Sequence, residues 1–323
     1  MSQRLLKFTL CVAVMAAVVV VAIASSFYVR SQSEIESLRS PVAMIDAERL
    51  IAAPSGTAAP AGPTVRCAVI NGMNITGFWK AVTDRFTQQT GIRIETVSFG
   101  EKAIIDNSFR EGGIDLLTMH ACDKVINLVA DGLAFDARPW ARNDLVIVGP
   151  PSDPAGVRGL TDAAEAFRRI AKSGSQLVVH SSLGAQEVLR GILVAGNVQF
   201  DPARVTMLFD DPNREVLKTA ADKTAYTLIG RIPFRMGRLP NAGLELLVQG
   251  DPAMRRPYVV VVANPETVKG ARVDLARQLA DYLSSPATQA WIETWGRGQL
   301  DDRPVFFPVK PKPNIPPVFK PAS

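Results

Sequence analysis

Short apolar runs and segments with helical spacing alternate along the central part of the chain. Apolar runs such as Leu145–Val148 and Tyr258–Val262 are rich in β-branched residues and stop at or near Gly, Pro or Asn. Such runs are typical of buried strands, whereas Phe78–Thr90 spaces its apolar residues as one face of a helix. The alternation therefore predicts an α/β fold, in which helices cover a largely parallel sheet.

The same pattern sets the approximate bounds of the individual elements. The predicted strands are Val65–Ile70, Ile92–Val97, Ile114–Met119, Leu145–Val148, Leu177–Val179, Val205–Phe209, Tyr226–Ile229, Leu244–Val248 and Tyr258–Val262. The predicted helices are Phe78–Thr90, Ala103–Arg110, Asp123–Ala130, Thr161–Lys172, Ala185–Val194, Asn213–Ala221, Asp274–Leu283 and Ala287–Trp295. Glycines at the ends of several of these helices agree with the helix-stop pattern.

The first part of the chain has the composition of an export segment. Arg4 and Lys7 precede an apolar run at residues 8–24, which fits either the core of a signal peptide or a short membrane anchor. The small residues Ala22 and Ala24 favour cleavage, whereas the apolar continuation at residues 27–29 favours an anchor. Either alternative places the rest of the chain outside the cytoplasm, because the positive charges stay inside.

Two further segments have the composition of unpacked chain rather than of a core. We assign residues 1–29 to a signal peptide or membrane anchor and residues 30–63 to a Pro/Ala-rich tether. Residues 308–323 form a Pro/Lys-rich tail, for which polyproline geometry is expected.

Composition excludes several classes of function. With 323 residues and 47% hydrophobic composition, the chain is long enough for two modest domains. Its net charge of +5 is not concentrated in a dense Lys/Arg run, so we expect no nucleic-acid partner. No CxxC motif accompanies the two histidines, His120 and His180, and we expect no metal site. Cys67 and Cys122 lie at different heights of predicted strands, which favours two free thiols over one disulfide.

Ligand chemistry is expected where strands lead into helices, because the first N–H groups of a helix are unpaired and favour anions. Three such loops carry Gly, Ser, Thr and Asn side chains that suit hydrogen bonding to a ligand. The candidate ligand-binding residues there are Asn71, Gly72, Asn74, Thr76, Ser98, Gly100, Ser181, Ser182 and Gly184. Turns followed by capped helices use the same residue types, so this structural alternative stays open. His120 and His180 end strands at such loops, and we expect structural roles for both.

Arg231 is a tenth candidate, because it follows the strand Tyr226–Ile229 directly. A guanidinium at this position would reach a bound anion bidentately, or it would form a salt bridge to Asp144 or Asp210. The sequence leaves both alternatives open. No paired carboxylates, catalytic triad or metal cluster is recognisable, so we expect neither an enzyme nor a cofactor.

Several stretches resemble, in their order and spacing, the tungstate-binding solute receptors of bacterial ABC importers. They include RNDLVIVGPPSDPAG, AYTLIGR and LELLVQGDPAMRRPYVVVVANPE, and the resemblance extends from Val65 to Pro308. It implies a two-lobe, periplasmic-binding-protein-like (type II) fold with a cleft between the lobes. Lobe one would comprise residues 64–148 plus 231–307, and lobe two residues 149–230.

The resemblance also implies a function. The chain would be a periplasmic or otherwise extracytoplasmic monomer that captures a small, tungstate- or molybdate-like anion for an ABC importer permease. If residues 8–24 are not cleaved, it would also contact the membrane. The alternative is a membrane-anchored sensor or interaction domain without transport duty, which the N-terminal apolar run and the Pro-rich tail favour.

The ligand loops depart from the family pattern. The family has a Thr/Ser-rich run after the first strand, where this chain has Asn71 and Gly72. The family also has an Arg shortly before a Gly-Thr pair, and the matching positions here are Val179, Gly184 and Ala185. The charged donor that the resemblance implies is therefore absent from its usual position.

Overall fold

The computed structural model describes residues 62–209, 215–239 and 242–310. The predictions for residues 1–29, for nearly all of the tether and for the tail beyond Lys310 lie outside the described residues. Within those ranges, no helix is both long enough and apolar enough to cross a membrane.

Strands and helices alternate through the described ranges, as the pattern predicts. The strands are β1 (Thr64–Ile70), β2 (Arg93–Gly100), β3 (Leu116–His120), β4 (Ala134–Gly149), β5 (Leu177–Val179), β6 (Val205–Met207), β7 (Tyr226–Gly230), β8 (Glu245–Val248) and β9 (Arg255–Ala263). The helices are α1 (Asn71–Ile75), α2 (Phe78–Thr90), α3 (Lys102–Glu111), α4 (Asp123–Ala130), α5 (Ala163–Lys172), α6 (Leu183–Ala195), α7 (Val216–Asp222), α8 (Arg231–Arg235), α9 (Val273–Ser284) and α10 (Pro286–Ile292). Short 3₁₀ turns at Pro202–Arg204 and Pro252–Met254 precede β6 and β9.

The strands form two half-sheets that share β4. The order is β2-β1-β3-β9-β4-β7-β5-β6, and β8 also pairs with β4. The first half of β4 pairs with β9 as far as Asp144, and the second half pairs with β7 from Leu145 onward. Strands β1, β2 and β3 run parallel in lobe one, and β5, β6 and β7 run parallel in lobe two. The fold is thus the expected α/β arrangement of two lobes.

The sequence predicts that the chain crosses between the lobes near Val148–Pro150 and Gly230–Arg231, and this stays a prediction, although strand pairing favours other positions. β4 changes its pairing partner from β9 to β7 between Asp144 and Leu145, and Arg255 of β9 pairs with Asp144. The segment between β7 and β9 adds β8 to the sheet of lobe two. We therefore propose that lobe two extends over residues 145–254. The first half of β4 is polar and has two register shifts, which hid it from the apolar pattern.

Each lobe has its own core. In lobe one, the Phe78 ring stacks on Trp140 at 5.5 Å and on Phe306 at 4.1 Å, while the Trp79 side chain packs edge-on against Trp140. In lobe two, separate apolar clusters cover the two faces of the sheet, one under α5 and α6 and the other under α7. Burial of these faces is the main stabilising contribution to each lobe.

A buried guanidinium joins β4 to residues 301–305. The Arg231 side chain is fully buried, and its Nε donates to Oδ1 of Asp144 at 2.8 Å. Its Nη1 donates to Asp301 at 2.8 Å, and its Nη2 donates to the carbonyl oxygens of Pro304 and Val305. Every nitrogen of the guanidinium therefore has an acceptor inside the protein.

The same carboxylate binds a second arginine. Oδ2 of Asp144 accepts from Nη2 of Arg303 at 2.8 Å, so both of its oxygens are used. Residues 301–307, here called the C-terminal strap, lie along the crossing, where Phe307 and Arg142 exchange two backbone hydrogen bonds of 2.8 Å. We refer to Asp144, Arg231, Asp301 and Arg303 as the hinge lock.

We predict that Arg231→Met lowers the free energy of unfolding by about 3–5 kcal/mol, because it removes a buried positive charge that bonds to Asp144 and Asp301 and leaves Oδ1 of Asp144 without its donor. Urea denaturation measures this loss. The control is Lys80→Met, which removes an exposed ion pair with Asp84 and should leave the denaturation midpoint nearly unchanged. Equal effects of the two substitutions would show that the lock does not stabilise the fold.

Candidate functional site

The carboxyl ends of the parallel strands converge at the crossing. In lobe one, β1 and β2 end side by side, since Ile70 pairs with Gly100, and β3 ends at His120. In lobe two, β5 ends at Val179 and leads through a short turn into α6. Ligands bind at such strand ends in open α/β sheets. The two sets of strand ends thus form the sides of a cleft, with β4 and β9 at its base.

Arg256 connects the base of this cleft to lobe two. It lies near the start of β9, and its guanidinium packs directly against Gly184 in the first turn of α6. A Cβ atom placed on Gly184 would lie 1.9 Å from Nη2 of Arg256. Only a glycine leaves room for the guanidinium here, so the sequence places a positive charge beside the start of a helix.

Strand pairing gathers further side chains around Arg256. Arg256 pairs with Asn143 on β4, and Tyr258, two residues further along β9, pairs with His120 on β3. Paired residues of antiparallel strands, and residues two apart on one strand, project from the same face of a sheet. The His120 and Tyr258 rings stack with their centroids 4.1 Å apart. Arg256, Asn143, Tyr258 and His120 therefore form one polar cluster.

Lys102 adds a second cationic group to this cluster, from the first residue of α3. Burial lowers the pKa of Lys102, and nearby Arg256 lowers it further, while Cys122 and Glu187 raise it. Burial likewise lowers the pKa of Arg256, whereas Tyr258 and Glu187 raise it. A guanidinium nevertheless keeps its charge in proteins. The cleft base is therefore electropositive, and a carboxylate of lobe two lies within electrostatic reach.

His120 lies in this electropositive environment. Burial holds the pKa of His120 well below its ordinary value, Arg256 and Lys102 lower it further, and the Asn143 amide opposes them. The ring is therefore neutral at neutral pH. Its Nε2 atom is buried and has no hydrogen-bond partner among the described residues.

The turn before α6 is held by its own hydrogen bonds. The Ser182 amide donates to Nδ1 of His180 at 2.8 Å, and the Gln186 side chain donates to the His180 carbonyl at 2.9 Å. Ser182 is the N-cap residue of α6, but its side chain does not cap the helix. The turn thus leads from Ser181 and Ser182 into the first turn of a 13-residue helix, where Gly184 lies against Arg256.

The other predicted residues fall into two groups. Asn71 and Gly72 begin α1 at the end of β1, and a Cβ placed on Gly72 would lie 3.6 Å from the Tyr258 hydroxyl. These two residues therefore border the polar cluster. Asn74 is half-buried one turn further along, and Gly100 ends β2 beside the start of α3.

Two of the predicted hydroxyl groups have partners within the protein. The buried Thr76 hydroxyl donates to the Gly72 and Met73 carbonyls at 2.9 and 3.1 Å. The Ser98 hydroxyl bonds to that of Ser108 at 2.9 Å, which ties β2 to α3. Of the two alternatives for Arg231, the structure shows the salt bridge to Asp144, with no exposed surface left for a ligand.

The sequence did not single out Arg256, Tyr258 or Lys102, and it gave His120 only a structural role. The one available signal was a pair of adjacent arginines directly before a buried strand. That signal indicates a charge at a strand start, but the approach of the guanidinium to Gly184 depends on the packing of the two lobes. Cys67 and Cys122 are both free thiols, as expected.

Two α/β lobes that share crossing strands, with a polar cleft at their strand ends, define a two-lobe ligand-binding protein with the type II periplasmic-binding-protein fold. The family model for bacterial extracellular solute-binding proteins matches residues 68–297, and the chain belongs to this family. It is therefore a binding protein and not an enzyme.

Individual relatives agree with this assignment. A Haloferax volcanii protein that is named as an ABC transporter anion-binding protein is 30% identical over 241 residues, which cover 72% of this chain and 68% of that protein. The tungstate-binding protein TupA of Peptoclostridium acidaminophilum is 24% identical over 69% of this chain and 78% of its own length. The solved structure of TupA from Desulfovibrio alaskensis G20 has a TM-score of 0.62 and 25% identity, and the match covers 77% of this chain and 99% of that one.

We predict that Gly184→Ala displaces the Arg256 guanidinium and weakens anion binding roughly 10- to 150-fold, the effect of losing a charged hydrogen bond. Titration calorimetry with the tightest-binding anion of a screen measures the change. Gly191→Ala is the matched control, because it lies on the same helix and its new Cβ would meet no atom within 4 Å. Equal affinities of the two variants would contradict the placement of Arg256.

We also predict that His120 makes the fold less stable in acid. Its pKa is lower in the folded chain than the ordinary unfolded value of about 6.5, so below that pH the unfolded chain binds a proton that the folded chain does not. The free energy of unfolding should fall as the pH drops from that value, and it should fall less in His120→Gln. Urea denaturation at a series of pH values compares the two, and superimposable curves would contradict the prediction.

Proposed function

We propose that this protein captures a small anion outside the cytoplasm and delivers it to the permease of an ABC importer. The observation that carries the proposal is the contact between Arg256 and Gly184. This contact brings a guanidinium from the base of the cleft to the N-terminal amides of a helix of lobe two. Both groups attract negative charge, and they converge from different lobes.

The energetics favour an anion. A hydrogen bond to a charged group contributes about 1.5–3 kcal/mol, and a helix N-terminus adds roughly 0.3–1 kcal/mol. Lys102 reinforces the positive potential from lobe one, where it acts on both Arg256 and His120. Exposed Glu187, one turn into α6, is the nearby group of opposite charge, and an incoming anion would compete with it for Arg256.

The proposed contacts come from both lobes, as closure of a two-lobe receptor requires. Asn71 and Gly72 would contribute from lobe one. Ser181, Ser182 and the Gly184 amide would contribute from lobe two, with Arg256 between them. Asn74 and Gly100 would shape the wall. Thr76, Ser98 and Arg231 would hold the surrounding structure, because their polar groups are already bonded within the protein.

The relatives guide the choice of ligand and partner. The names of two relatives state tungstate binding or anion binding for an ABC transporter, so tungstate and molybdate are the first anions to test. The neutral residues Val179 and Ala185 stand where the resembling receptors have an Arg and a Thr. Arg256 would supply the charge from the base of the cleft instead. The export segment that the sequence predicts at residues 1–29 would place the protein outside the cytoplasm.

We predict that a bound anion raises the melting temperature by roughly 5–10 °C, the effect of about 2.7 kcal/mol at a hundredfold excess over Kd. The screen would include tungstate, molybdate, sulfate, phosphate, arsenate and small carboxylates. Arg256→Gln should abolish most of the shift, because it removes the charge beside α6. The control is Arg190→Gln, an exposed arginine of the same helix, which should retain the shift. Absence of any shift in the wild-type protein would refute anion capture.

A further inference from the structure

Two hydrogen-bonding atoms in the polar cluster are left without partners. Asn143 is 8% exposed, and its Oδ1 accepts no hydrogen bond from any described residue. Nε2 of His120 is also buried, and within the described ranges it has no partner either. Leaving such an atom unpaired in a buried site destabilises the site. A ligand that satisfies these atoms would remove that destabilisation.

Both atoms lie beside the proposed anion donor. Asn143 is the strand partner of Arg256, and their side chains project from the same face of the sheet. His120 stacks on Tyr258, two residues further along β9. The Asn143 side chain lies close enough to His120 to raise its pKa, but among the described residues neither Oδ1 nor Nε2 has a partner that meets both the distance and the angle of a hydrogen bond. An anion held by Arg256 would therefore bring its remaining oxygens close to an unpaired acceptor.

The hydrogen-bonding chemistry of the Asn143 amide oxygen determines which ligand oxygen can lie next to it. Oδ1 of Asn143 only accepts hydrogen bonds, whereas a neutral imidazole nitrogen either donates or accepts. A fully deprotonated oxyanion also only accepts, so its oxygen and Oδ1 would repel each other. An oxygen that carries a proton would instead donate to Oδ1. Sites that contain a buried polar group discriminate strongly against analogues that leave the group unpaired.

We propose that the ligand is an anion that also carries an O–H donor, which Arg256 binds at its charged oxygens and Asn143 binds at its hydroxyl group. The proposal rests on anion capture at this cleft and specifies the ligand class. Hydrogen phosphate and hydrogen arsenate have this chemistry, as do 2-hydroxy carboxylates. Tungstate, molybdate and sulfate lack the proton at neutral pH. Asn143 would then be a specificity-determining residue.

Titration calorimetry with matched anions at neutral pH tests the proposal. Phosphate and arsenate are compared with sulfate, molybdate and tungstate, and glycolate is compared with acetate, which lacks the hydroxyl group. At least one O–H-bearing anion should bind tenfold or more tightly than its proton-free counterpart. Whether phosphate or glycolate shows the preference distinguishes an inorganic ligand from an organic one.

Variants connect the preference to Asn143. Asn143→Leu should reduce the preference to less than threefold while a proton-free oxyanion still binds, because it removes the unpaired oxygen but not Arg256. Asn143→Ser is the second variant, in case the first fails to fold, and it should also reduce the preference to less than threefold, because a hydroxyl group can donate to a proton-free oxyanion. Asn107→Leu, at an exposed position of α3, is the control and should keep the full preference.

The outcomes separate the two proposals. Tungstate or molybdate binding as tightly as every O–H-bearing anion would overturn the assigned ligand class and leave anion capture intact. A preference that persists in both Asn143 variants would overturn the role of Asn143. Binding of none of the anions would refute anion capture itself.

Discussion

The buried ion pair between Arg231 and Asp144 is the interaction on which the arrangement of the two lobes depends. A charged group without exposed surface is tolerated only when its hydrogen bonds are satisfied, and Arg231 achieves this with two carboxylates and two carbonyl oxygens. These partners come from β4 and from the C-terminal strap, which are far apart in sequence. The ion pair thus requires the strap to close over the crossing, and it fixes the position of β4 there.

The position of β4 also determines the composition of the cleft. Alternate residues of a strand project from opposite faces, so Asp144 and Arg255 share one face while Asn143 and Arg256 share the other. On the first face, the Arg255 guanidinium lies 4.0 Å from the centre of the Phe307 ring in the strap. On the second face, Arg256 reaches Gly184. A register slip of one residue would exchange the two faces, so the hinge lock and the ligand site depend on the same strand register.

Much of the fold was predictable because its elements carry strong local patterns. The bounds of α2, α4 and β5 are those that the sequence predicts, since each is a continuous apolar or amphipathic segment. The first half of β4 was not predictable, because polar residues and register shifts interrupt it. In the candidate site, the loops after β1 and β5 are the part that the sequence predicts, because their Gly and Ser residues suit ligand binding. Arg256 and Asn143 were not predicted, because their roles arise from long-range strand pairing and lobe packing.

The source of positive charge has a consequence for lobe closure. An arginine at the end of β5 would belong to lobe two alone, whereas Arg256 stands at the base of the cleft on β9, which pairs with β3 and with the first half of β4. Its guanidinium already contacts the start of α6, so this part of the site is organised before a ligand arrives. Preorganised charge reduces the free energy spent on ordering during binding. In the proposed site, closure would then be left to the smaller polar groups, Asn71 and Gly72 on one side and Ser181 and Ser182 on the other, and their hydrogen bonds would distinguish ligands more than they attract them.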